Sequence, residues 1–115
     1  NGNREWSKCF GGSDDDSLKG IIQLSDGGYI AVGNTMSIDG DFSEHHGGRT
    51  DGWIIKVSST GNREWSKCFG GSSIEYLYKL LQADNGFCAV GYTQSNDGDV
   101  PGNHGNKDGW IIKIQ

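Results

Sequence analysis

Proline occurs once and methionine once in this 115-residue chain, and no apolar run approaches the roughly 18 residues of a membrane span. Insertion into a bilayer as a helix is therefore not expected. Lys and Arg number 10 against 15 Asp and Glu, a net charge of −5, so the chain lacks the basic face that would hold a phosphate backbone, and no nucleic-acid partner is expected. Cys9, Cys68 and Cys88 form no C-x-x-C pair, and buried thiols are expected in place of zinc or redox chemistry. Neither G-x-S-x-G nor H-E-x-x-H occurs, and a non-enzymatic protein is expected. No N-x-[ST] sequon occurs, and no signal peptide stands out.

What is abundant is glycine, 20 residues against 33% hydrophobic ones. That balance describes short segments joined by tight turns, hence an all-β protein. The chain also repeats itself. Residues 2–13, GNREWSKCFGGS, return unchanged as 61–72, and an internal period has to be read before any other motif. Two units of about 58 residues result, neither large enough to bury a sufficient core alone.

Alternating or continuous apolar patterns between turn signals give the strands. Residues 3–10 read as one, closed by Gly11-Gly12. After the acidic stretch Asp14-Asp15-Asp16, further strands are expected at 18–24, 29–34, 52–57 and 63–69. Their second-unit counterparts are 77–82, 87–91 and 108–113. The offset between units falls from 59 to 58 to 57, and each slip lies in a turn or loop, where a length change leaves strand register intact. The run Tyr29-Ile30-Ala31-Val32-Gly33 is that of a strand covered on both faces. Residues 34–50 read as a long polar loop, a common place for function.

Four strands per unit, with G-x-x-x-W-x-x-x-F-G-G-S, D-G-G-Y-I-x-x-G, D-G-D and D-G-W-I-I-K in order, resembles kelch-like β-propeller repeats and the propeller repeats of bacterial and archaeal surface proteins. The resemblance spans essentially the whole chain. It implies one propeller segment over 1–115: residues 1–12 as a fourth strand completing a neighbouring blade, 13–70 as blade one, and 71–115 as strands one to three of blade two. Two blades do not close a ring. The expectation is closure by oligomerisation, with copies of the chain as partners in a trimer (favoured), tetramer or filament, or membership of a longer propeller. A secreted or cell-surface location goes with that resemblance.

Three functions fit. The first is a scaffold or interaction module that self-associates head to tail through its terminal strands. The second is a lectin, with Trp6 and Trp65 stacking on a glycan between blades, Tyr76 beside them, and Arg4, Arg63, Glu5, Glu64, His46 and His104 supplying polar contacts; aromatics with a few polar groups are what such a pocket needs. The third is a calcium-binding adhesion module. Closely spaced carboxylates broken by glycine can wrap a hard cation, which makes Asp39, Asp41, Asp51, Asp97, Asp99 and Asp108 the candidate ligands and calcium the candidate cofactor, with Asp14, Asp15 and Asp16 expected nearby. The competing reading is structural, since Asp-Gly pairs form turns and Asp side chains hold local backbone N–H groups.

Overall fold

A computed structural model describes residues 1–42 and 49–115. Among them the chain forms seven strands: β1 (Asp16–Gln23), β2 (Tyr29–Thr35), β3 (Asp51–Val57), β4 (Arg63–Phe69), β5 (Glu75–Ala83), β6 (Gly86–Thr93) and β7 (Asp108–Ile114). They build two antiparallel meanders, a four-stranded sheet in the order β1-β2-β3-β4 and a three-stranded sheet in the order β5-β6-β7. The all-β expectation holds, and the strands fall within two residues of where the apolar patterns put them.

The repeat is visible in the register. Tyr29 pairs with Val57 and Thr35 with Asp51 in the first sheet; Phe87 pairs with Ile114 and Thr93 with Asp108 in the second. Both first strands carry an irregularity at one equivalent place, between Leu18 and Gly20 and between Leu77 and Lys79. At that point Gly33 and Gly91 pass so close to the carbonyls of Ser17 and Tyr76 that a Cβ would collide with them. The first slip of the offset also has its cause. The β1–β2 turn is held by Gly27 N donating to Leu24 O (3.0 Å) and Leu24 N to Gly28 O (2.8 Å). Its counterpart is a tighter turn, in which Ala83 pairs directly with Gly86 and Asn85 takes a positive φ of 59°; Asn tolerates that conformation better than most residues.

One core cluster fills the junction between the sheets, with Ile30, Val32 and Ile54 of the first meeting Leu77, Phe87, Ala89 and Trp110 of the second. Another covers the opposite face of the first sheet. There Ala31, Phe42, Trp53, Ile55, Val57 and Cys68 are buried, with Trp6, Phe10 and Tyr29 packed against them. The central strand β2 is thus buried on both faces, as expected for residues 29–33, while the edge strand β1 leaves Leu18 and Ile21 exposed and the second sheet is covered on one face only. At the junction Glu75 N donates to Thr50 O (2.9 Å).

Residues 3–10 are the exception to the repeat. They form no strand within this chain, although their identical copy at 63–69 is β4. A strand is maintained by the ladder of a neighbour, and β4 has β3 beside it, whereas no described strand pairs with residues 3–10.

Candidate functional site

The Asp-Gly-Asp loops and the Gly-Gly turns, far apart in sequence, form one arrangement built twice. In the first copy Asp41 Oδ2 accepts from Gly11 N (2.7 Å), Asp39 Oδ1 from Ser13 N (2.8 Å) and Asp16 Oδ2 from Gly12 N (2.9 Å), while Asp41 N donates to Gly11 O (3.0 Å). In the second, Asp99 Oδ2 accepts from Gly70 N (3.0 Å), Asp97 Oδ1 from Ser72 N (2.8 Å) and Glu75 Oε1 from Gly71 N (2.8 Å), with Asp99 N donating to Gly70 O (2.9 Å). Behind the middle carboxylate of each copy a threonine hydroxyl donates to the remaining oxygen, Thr35 to Asp16 and Thr93 to Glu75 (2.7 Å). Ser37 and Ser95 then accept from Asp14 N (3.0 Å) and Ser73 N (2.9 Å). Three successive backbone N–H groups are satisfied by three carboxylates, and charge-assisted bonds of this kind are among the stronger ones. Gly12 and Gly71 are obligatory here, because a Cβ would collide with Asp39 and Asp97.

The bond to Ser13 N holds Asp39 below its ordinary value of 3.8, and the bond to Ser72 N does the same for Asp97. Accepted backbone N–H bonds favour the ionised carboxylate. The expected proximity of the acidic stretch is also found: Asp14, Asp15, Asp16 and Asp41 line a shallow depression of about 480 Å³ with Gly11 and Gly12.

Of the other proposed metal ligands, Asp51 is buried at the start of β3 opposite Thr35. Asp108 opens β7 and accepts from His104 N (2.7 Å), which lowers its pKa, with His104 Nδ1 3.0 Å from the same oxygen. Among the described residues no three His, Cys, Asp or Glu side chains converge as an ion-binding group. The hydrogen bonds above follow the turn-holding reading of these acids.

The lectin candidates do not gather in one place. Trp65 lies in the junction, stacked on Phe87 with centroids 6.4 Å apart and planes at 14°. Trp6 lies on the opposite face of the first sheet, edge-on to Tyr29 at 6.1 Å, its Nε1 donating to Ser59 O (3.0 Å). Arg63 pairs with Asp41 at 2.9 Å, and Glu64 pairs with Lys56, which also reaches Asp26 at 3.4 Å. Arg63, Glu64 and Trp65 share a depression of about 310 Å³ with Asp41. Arg4 and Glu5 are exposed on the N-terminal segment, and His46 lies outside the described residues.

Tyr76 does have aromatic company. It stands 6.2 Å from Tyr78 with planes at 8° and 5.0 Å from Tyr92, and the Lys107 ammonium sits 4.8 Å from the Tyr92 ring. Burial, followed by the charges of Tyr78 and Tyr76, raises the Tyr92 pKa. The first unit has Ser17, Lys19, Asn34 and Thr50 at these positions, so the cluster belongs to the second unit alone. Lys107 was not among the sequence candidates; a position-by-position difference between the units is the signal that finds it.

The remaining feature is an unused edge. β7 is the terminal strand of its sheet, and no described strand pairs with its outer side. Next to it a cleft of about 670 Å³ is lined by Trp65, Lys67 and Phe69 of β4 and by Lys113, Ile114 and Gln115.

No family model matches the chain, and no curated protein matches it.

Proposed function

We propose that this chain is a non-enzymatic β-propeller scaffold that associates with copies of itself head to tail, the N-terminal segment of one copy completing the second sheet of another, on a cell surface or outside the cell. One observation carries the reading. Residues 1–12 rest against the first unit through Trp6–Tyr29 and Gly11–Asp41, as β4 and the turn after it rest against the second through Trp65–Phe87 and Gly70–Asp99, yet no described strand pairs with them. An uncovered strand edge such as that of β7 is a template for pairing. Contact between two different surfaces gives a ring if the rotation closes and a filament if it does not.

Size-exclusion chromatography with light scattering tests this. The 115-residue chain is expected to run as a defined multimer, with the trimer favoured, and a variant lacking residues 1–10 as a monomer. A stable wild-type monomer at tens of micromolar would end the reading.

The tyrosine cluster favours carbohydrate binding as a second reading, because parallel rings 6.2 Å apart with an adjacent ammonium offer a stacking surface with a polar edge. Glycan-array binding that disappears in Tyr78→Ala supports it, and binding to no glycan removes it.

A further inference from the structure

We propose that the bare face of the second sheet is the docking site for a second copy of this chain, which seats there the outer face of its own first sheet with residues 1–12 already in place. This rests on the self-association above and names the surfaces that perform it.

Because the units repeat, each side of the internal junction has a twin elsewhere in the molecule. One side is made by Val32 and Ile54, both 0% exposed; their twins Val90 and Ile111 are 40% and 72% exposed. Leu81, the twin of the half-buried Ile22, stands bare beside them. The other side includes Leu77, also 0% exposed, whose twin Leu18 is 44% exposed. Leu80 packs into the junction, while its twin Ile21 is 62% exposed. The two surfaces that meet inside the chain thus occur a second time, each without its counterpart, on opposite outer faces. Apolar area of this kind is stabilised by removal from water.

The donated segment needs no rearrangement to reach its place, since it already lies on the first sheet that would carry it in. Transfer of the β3–β4 register gives the new ladder: Trp53 opposite Cys68, Ile55 opposite Ser66 and Lys56 opposite Trp65 become Trp110 opposite Cys9, Ile112 opposite Ser7 and Lys113 opposite Trp6. The Trp53 Nε1 to Ser66 Oγ bond (2.8 Å) becomes one from Trp110 to Ser7, and the Lys56–Glu64 pair becomes Lys113–Glu5. The cleft beside β7 is where this segment lies. Assembly is accordingly a docking of two preformed surfaces, one of each kind per copy.

Two substitutions at exposed positions test this without touching the core. Ile111→Asp blocks the receiving face and Ile21→Asp the entering face, and each alone is expected to convert the multimer to a monomer with an unchanged β-sheet circular dichroism spectrum. Mixed in equal amounts they retain one intact pair of surfaces, so a one-to-one dimer and nothing larger is expected. If Ile21→Asp assembles as the wild type does, or if the mixture stays monomeric, the proposal is overturned while self-association stands. A monomeric wild type removes both. Should either aspartate variant lose its β signal, Ile111→Ser and Ile21→Ser replace the pair with the same expected outcomes.

Discussion

Residues 2–13 and 61–72 have one sequence and two structures. In the second copy Arg63–Phe69 is β4, paired with β3, and Cys68 is buried against Trp53 and Ala31. In the first copy the same residues form no strand and Cys9 is exposed. Both copies end in a Gly-Gly turn held by three carboxylates. The difference therefore lies in the neighbour and not in local propensity: β propensity is realised only beside a strand that completes the ladder.

The sharpest way to break the comparison is a charge at the thiol position. Cys68→Asp places a carboxylate in the apolar face of the first sheet and is expected to cost about 3–4 kcal/mol in urea denaturation, whereas Cys9→Asp at dilution is expected to stay within about 0.5 kcal/mol. Thiol labelling of the native monomer should accordingly modify Cys9 and spare Cys68. Equal costs at the two sites would show that residues 3–10 are as tightly held as β4.

The turns should behave more alike. Glu75→Ala strands Gly71 N–H and the Thr93 hydroxyl in a fully buried site and is expected to lower stability by about 3 kcal/mol; Asp16→Ala, in a half-buried one, by about 2 kcal/mol. A reversed order would show that the first turn contributes more.

The smallest effect is the acid limb. Asp39 and Asp97 have folded-state pKa values below their ordinary 3.8, so their stabilisation is present above about pH 4 and is lost as pH falls through the lowered values. Thermal unfolding followed from pH 6 to pH 2.5 should show a midpoint falling below pH 4. Asp39→Asn with Asp97→Asn should flatten that fall.

Much of the fold was legible because the units check each other. A pattern that recurs at offsets of 59, 58 and 57 fixes strands better than either copy alone, and 63–69 agrees with β4 residue for residue. Residues 3–10 carry the same strand pattern as 63–69, but a sequence pattern does not say which strand supplies the ladder, and among the described residues none does. The carboxylates were legible as a group and not in their roles. Asp39 and Asp41 read from sequence either as cation ligands or as turn holders, and the N–H groups they accept from, Ser13 and Gly11, lie 26 and 30 residues away, beyond the reach of a local pattern. Asp16 and Glu75 differ by a methylene and hold equivalent glycines, which only the structure connects. Tyr76, Tyr78 and Tyr92 become one surface because β5 and β6 are adjacent.

The double turn also sets an order of events during synthesis. Of the turn that follows β4, Gly70 is gripped by Asp99 and Ser72 by Asp97, acids that leave the ribosome about 27 residues after Gly71. Until then the C-terminal end of β4 has its ladder to β3 but not its lock. Each unit is thus sealed by the loop of the one synthesised after it, and the last seal on a nascent chain always waits for more sequence.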